Sequence, residues 1–437
     1  MKVKTNIILL ALTVMLVFSC KKDQTKQQLM QSQINITAKD ILGNPECLAI
    51  SYGAYRENSR KIQPTIPEIK NDLRIMSAMG IKILRTYNVH FPHAENILKA
   101  ISELKKKDSN FEMYVMLGAW IEAKHAFTDV VEKIRNEDGE RYMPQIDRMI
   151  GNESEIKEAI KLTKQYPDIV KILAVGNEAM IHWATEYFVE PSIILKWVNH
   201  LQDLKQRGEL PKQLWITSSD NFASWGGGDG VYHTEDLVKL VKAVDYISMH
   251  TYAYHDTHYS PDYWVNDTTE YDSELEKIDA AMLRAKKYAM SQYDGVKSFI
   301  DSLGIDKPIH IGESGWATQS NGFYGKNGSK ATDEYKAALY YKHLRDWTNK
   351  AGISCFYFEA FDENWKDGGN PGGSENHFGL FTVDGKAKFA LWDLVDKGVF
   401  EGLGRNGNPI TKTYNGNKEE LMKNVLAPNT KAEVINN

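Results

Sequence analysis

From about residue 41 to about residue 400 the chain alternates short apolar runs with amphipathic helical stretches, eight times over. The runs, rich in Val, Ile and Tyr, fall at 48–52, 81–87, 113–119, 170–176, 214–218, 245–250, 308–312 and 354–359. Several are almost continuously apolar, as expected of parallel strands buried on both faces. The stretches between them carry helix signals. In TIPEIKNDLRIMSAMG, Thr65 and Glu68 form a capping box, Ile66, Ile69, Leu73 and Met76 recur at helical spacing, and Gly80 ends the helix. Similar stretches begin near Glu153, Ser192, Thr234, Ser273 and Asp333. Eight such units predict an α/β fold, a (β/α)8 TIM barrel. An open doubly wound sheet is the competing architecture. It usually brings a Gly-rich phosphate loop after the first strand, and SYGAYREN is not one.

The 437 residues suffice for one large barrel or two ordinary domains, and no Pro- or Ser-rich linker divides them. A formal charge of −5 with no basic cluster argues against a nucleic-acid partner. The first twenty residues read as a signal peptide, with Lys2 and Lys4 before an apolar run from Ile7 to Phe18 that is short for a membrane span. Val17-Phe18-Ser19-Cys20 resembles a bacterial lipoprotein box. That resemblance implies lipidation of Cys20 and export to a bacterial, outer-membrane, periplasmic or cell-surface location; an ordinary signal peptide is the alternative. Residues 21–40 read as a flexible polar tether, 41–400 as the barrel domain, and 401–437 as a C-terminal extension with weak signals and no assigned role. Cys47 and Cys355 fall on strands that adjoin in a closed barrel; two buried thiols are expected, a disulfide being the alternative.

In a barrel, function collects just beyond the C-terminal ends of the strands. Those positions hold Arg85-Thr86-Tyr87-Asn88, Trp120 with Glu122, Asn177-Glu178, Asp220-Asn221, His250-Thr251-Tyr252, Glu313-Ser314-Gly315-Trp316, and Glu359 followed by Asp362-Glu363-Asn364-Trp365-Lys366. Glu178 and Glu313 stand out. Each follows an apolar strand, and strands 4 and 7 face each other across a barrel mouth. Glycoside hydrolysis needs two facing carboxyl groups, one to protonate the leaving oxygen and one to attack the anomeric carbon or activate water. A lone Glu at a strand end is more often a surface or ion-pair residue; two at these strands, with Asn before one and Gly-Trp after the other, point to a catalytic pair.

ILRTYN, AVGNE, ISMHTY, GESGW, FDENWK and ENHFGLF, in this order over about residues 45–400, resemble glycoside hydrolase family 17, the β-1,3-glucanase family of barrel glycosidases. The resemblance implies a retaining mechanism with Glu178 as general acid/base and Glu313 as nucleophile. Glu178 then needs surroundings that raise its pKa, and Glu313 needs donors that keep it ionised. It places Tyr252, or His250 beside it, as a donor to Glu313, Arg85 as a fixed charge near the nucleophile, and Asn177 on the sugar 2-OH. Glu363 and Lys366 would support Glu178. Glu359 joins the binding set, and Tyr87, Trp120, Trp316 and Trp365 are stacking candidates, Trp316 foremost. Packing at the barrel rim is the alternative for each aromatic.

The segments 222–233, 253–272 and 317–330 are longer than in the family's compact plant members, so they can close or extend the cleft. His255, Asp256 and His258 read as loop polars rather than metal ligands, and neither a metal nor a cofactor is expected. The expected activity is hydrolysis of a laminarin-type β-1,3-glucan by a monomer. A β-1,3-glucanosyltransferase on the same scaffold, and a non-catalytic glycan-binding lipoprotein, are the alternatives.

Overall fold

The computed structural model describes residues 36–122, 141–143, 148–183, 188–266 and 271–435. The signal segment, Cys20 and residues 21–35 lie outside the described residues. Eight parallel strands close into a barrel in chain order: β1 Leu48–Ser51, β2 Ile81–Arg85, β3 Tyr114–Ala119, β4 Val170–Asn177, β5 Trp215–Asn221, β6 Ile247–His250, β7 Ile309–Gly315 and β8 Cys355–Phe358. β8 pairs back onto β1, Ala49 facing Phe356. The long helices are α1 Ile66–Ala78, α2 His93–Lys107, α3 Asn152–Gln165, α4 Pro191–Gln206, α5 Glu235–Ala243, α6 Glu274–Ser302 and α7 Glu334–Ala351. The Thr65/Glu68 capping box is formed at the start of α1.

Two details differ from the sequence reading. β5 and β7 run further than predicted, so Asp220 and Glu313 sit inside strands rather than after them. The pairing persists at the mouth because polar side chains there do not interrupt it: Thr251 N–H still donates to the Glu313 carbonyl, at 3.0 Å. The eighth unit also lacks a long helix. A 3-10 turn at Phe389–Leu391 and the short helix Trp392–Asp396 stand in its place.

Period-2 alternation sorts the strand side chains into two apolar compartments. Ala49, Ile83, Tyr114, Met116, Ile172, Ala174, Tyr246 and Phe356 fill the barrel. Ile50, Leu84, Val115, Leu117, Leu173 and Val175 face the helices. Inside, the lining turns polar toward the mouth. Tyr246 just before β6 is followed by Ser248 and His250 within it, and β2 reads Ile83, Arg85, all of them buried. Gly312 of β7 faces this polar layer. A Cβ there would lie 2.2 Å from Ser248 Oγ and 2.5 Å from Ser219 Oγ, so only glycine fits.

The last residues of the segment read as a tether enter the fold. Ala38–Ile41 form a helical turn whose Ala38 and Ile41 pack into the apolar barrel interior. Gly43 N–H then donates to Ser354 Oγ just before β8, which places this turn at the strand starts, the floor of the barrel. The C-terminal extension is integrated as well. Arg405 is fully buried, and its Nε lies 3.1 Å from Asp72 Oδ1 of α1. The same carboxylate accepts from Arg56 Nη2 and Tyr52 OH, each at 2.9 Å. Cys47 and Cys355 are buried free thiols.

Candidate active site

The barrel mouth brings Glu178 and Glu313 into one network. Glu178 follows β4 in a left-handed backbone conformation, φ +45°. For a non-glycine residue this costs about 1–3 kcal/mol and tends to mark functional positions. The turn is held from below: Glu178 N–H donates to the Ser219 carbonyl at 3.0 Å, and Met180 N–H to Asp220 Oδ2 at 2.9 Å. Burial lifts the Asp220 carboxyl to about 6, against the pull of the Met180 N–H and of His250.

Glu313 is almost closed from solvent, 6 % exposed, and surrounded by donors. Arg85 Nη1 lies 2.5 Å from Oε2, Tyr87 OH donates to Oε2 at 2.8 Å, and Tyr252 OH donates to Oε1 at 2.6 Å. Burial alone would raise its pKa. His250, Arg85, Tyr252 and Tyr87 together outweigh burial and hold it below the ordinary carboxylate value. Arg85 also reaches across to β4, its Nη2 2.5 Å from Asn177 Oδ1. With that oxygen occupied, the Asn177 NH2 is the group left to face a ligand.

Glu178 is treated differently. Its side chain is 34 % exposed, and His250 Nδ1 lies 3.0 Å from Oε1. His250 Nε2 is 2.8 Å from Ser219 Oγ, which is 2.8 Å from Ser248 Oγ. The imidazole thus links Glu178 to the Ser219–Ser248 hydroxyl pair. His250 is also the lateral neighbour of Glu313 in the β6–β7 pairing, which sets the two strand positions side by side at the mouth.

Several sequence expectations need correction. Of the two candidate donors to Glu313, Tyr252 holds that place and His250 binds Glu178. Tyr87, read as a stacking ring, is a hydrogen-bond donor to Glu313. Trp316 is fully buried behind the mouth. Its indole N–H needs a partner and finds the Ala331 carbonyl at 2.9 Å, offered by the inserted segment that folds over it. Glu363 and Lys366 do not reach Glu178, because β8 adjoins β1 and lies far from β4 around the barrel. Lys366 Nζ lies 2.6 Å from Glu359 Oε2, and Glu363 accepts from Tyr55 N–H and Trp365 Nε1. Glu359 is buried in this cluster, where burial raises its carboxyl far above the ordinary range against the pull of Lys366. Trp120 sits half-buried after β3, its backbone N–H 3.0 Å from Glu155 Oε1. Ser219 and Ser248 were missed; alternate small polar residues in ITSSD and ISMH were their only sequence signal. His255 Nδ1 bonds Tyr324 OH at 3.1 Å, and His258 stacks on Phe323.

Comparison with known proteins agrees with the barrel architecture. An endo-laminarinase from Formosa Hel1_33_131 is 63 % identical in a crystal structure with a TM-score of 0.84, covering 91 % of this chain and 98 % of that one. A Rhizomucor miehei β-1,3-glucanosyltransferase, solved with laminaritriose, shares the fold alone, at 19 % identity and a TM-score of 0.51 over 77 % of this chain and 93 % of that one. A glucan 1,3-beta-glucosidase of Arthroderma benhamiae is 26 % identical over 53 % of this chain and 64 % of its own length. A probable glucan endo-1,3-beta-glucosidase, btgC, of Aspergillus flavus is 23 % identical over 75 % of this chain and 41 % of its own length. The chain thus spans less than two thirds of these curated relatives. Residues 49–379, from β1 to the loop beyond β8 and including both carboxylates, match the BtgE/BtgC glycoside hydrolase domain, and the chain belongs to that family, related to the family 17 glucanases to which its motifs point.

Proposed function

We propose that this protein is a retaining endo-β-1,3-glucanase acting on laminarin-type glucan, with Glu313 as nucleophile and Glu178 as acid/base. The observation that carries the reading is the asymmetry of the two carboxylates. Glu313 is wrapped by a guanidinium and two phenols, whereas Glu178 meets one ring nitrogen and is partly open to solvent. The 63 % identity to an endo-laminarinase supports the choice of glucan.

In this scheme Glu178 gives its proton to the glycosidic oxygen as the bond from that oxygen to C1 breaks. Glu313 forms the new bond to C1. Two donors occupy Oε2 and one occupies Oε1, so Oε1 keeps the freer lone pair for attack. Glu178, now ionised, takes a proton from water; the water oxygen bonds to C1 and Glu313 leaves. Asn177, its oxygen fixed by Arg85, offers N–H to the sugar 2-OH, where a contact that tightens in the transition state accelerates the step.

Two outcomes test this. Anchor-free protein incubated with laminarin is expected to release short oligosaccharides of mixed length early in the reaction, sized by mass. Products longer than a defined starting oligosaccharide would instead identify a transferase. The second outcome is a pH profile. Glu313 must be ionised and is held below its ordinary value of 4.5, so the acid limb of kcat/KM is expected below that pH. Tyr252→Phe removes one donor to the charged form. It should shift that limb upward and lower kcat/KM about tenfold or more, from the loss of a charge-assisted bond of about 1.5–3 kcal/mol. An unmoved acid limb would remove Glu313 as its source.

A further inference from the structure

Beyond the reaction centre, the catalytic face carries an aromatic surface that the steps above do not use. Phe323 is 58 % exposed and Tyr259 66 % exposed. They stand on the two inserted segments that follow β6 and β7. The His258 ring lies flat against Phe323, 4.3 Å between centroids and 10° between planes. Single exposed apolar residues are ordinary. This one is backed by packed rings that lead to the nucleophile. Tyr324, next to Phe323, bonds His255 at 3.1 Å; His255 packs on Tyr252 at 5.0 Å; and Tyr252 donates to Glu313. Glu375, exposed on the β8 loop, is close enough to interact electrostatically with Glu178, Glu313 and Tyr324, so it borders both regions.

The surface is also held in place. Ser329 N–H donates to the Phe323 carbonyl at 2.8 Å, and Ala331 N–H to the Tyr324 carbonyl at 2.9 Å. Asn321 bonds Asn370 of the β8 loop through both amide groups. A ring that is exposed yet fixed loses little freedom when a ligand covers it. Its free face suits the C–H face of a pyranose, an amphipathic partner that buries apolar area and leaves its hydroxyls to water or to Glu375.

We propose that Phe323, flanked by His258 and Tyr259, is an outer subsite that stacks a glucosyl ring of a β-glucan chain running on from the reaction centre. The proposal rests on the glucanase reading above and adds where a long chain is gripped. The test compares KM for a β-1,3-linked octasaccharide and for laminaritriose. In Phe323→Ala the ratio of the two values, octasaccharide over trisaccharide, should rise about tenfold relative to wild type, about 1.4 kcal/mol. His258→Ala, which removes the support beneath the ring, should move it the same way by less. Leu283→Ala, on the exposed face of α6, is the control. A ratio within about twofold of wild type in both variants overturns the subsite, as does an equal rise in the control. Failure of the wild-type protein to cleave either oligosaccharide overturns the glucanase reading instead.

Discussion

Glu313→Ala is expected to lower turnover of β-1,3-glucan by about 10⁴-fold or more, with glucan binding largely retained. The loss follows from chemistry rather than affinity. On the proposed mechanism no other group is placed to form the bond to C1, whereas the rest of the cleft is left unchanged by the substitution. The variant also strands a buried cation. Arg85 keeps the Gly312 carbonyl at 2.8 Å and Asn177 Oδ1, but loses its only anionic partner among the described residues. Breaking a buried pair from one side typically costs about 3–5 kcal/mol. Glu313→Gln keeps the volume and an acceptor for Arg85, so it should be equally inactive but closer to wild type in thermal stability. Turnover and melting temperature of the two variants separate the roles. Appreciable turnover in either rejects Glu313 as nucleophile.

Asp72→Ala is expected to be the most destabilising single change outside the mouth, by about 3–5 kcal/mol. Asp72 is fully buried, and three groups converge on it: Arg56 and Tyr52 from the segment after β1, and Arg405 from the C-terminal extension. Removal leaves the buried Arg405 guanidinium without its carboxylate and brings it near that of Arg56, which keeps Glu68 at 3.6 Å. Asp72→Asn keeps an acceptor and the shape but loses the charge, so its cost should be smaller. Chemical denaturation checks both. A loss under about 1 kcal/mol for the alanine variant would mean that the arginines find other partners.

Much of the barrel was legible because its strands obey a period that physics enforces. Val115 and Leu117 face the helices, Tyr114 and Met116 fill the interior, and a pattern of two is readable without coordinates. The paired glutamates were legible for the related reason that a closed barrel directs strand ends to one face. What failed was the direction of individual side chains past the last regular residue. His250 and Tyr252 are two residues apart, yet they serve different carboxylates, because the chain leaves the β6 ladder between them. Trp316 looked like a cleft residue because it follows Glu313 by three, but the inserted segment supplies a carbonyl that draws its indole inward. Arg405 and Asp72 are far apart in sequence, and no local pattern links them. Buried charge partners of this kind are set by tertiary contact alone.

The turn Ala38–Ile41 has a consequence for how the molecule is presented. It seals the floor of the barrel, opposite the mouth that holds Glu178 and Glu313. Residue 36, where the described chain begins, therefore lies on the underside. A chain held at residue 36 would be held on the face opposite the mouth, so the attachment itself would leave the cleft clear for polymers from the surrounding medium. Docking of the enzyme and access of long substrates would then not compete for the same face.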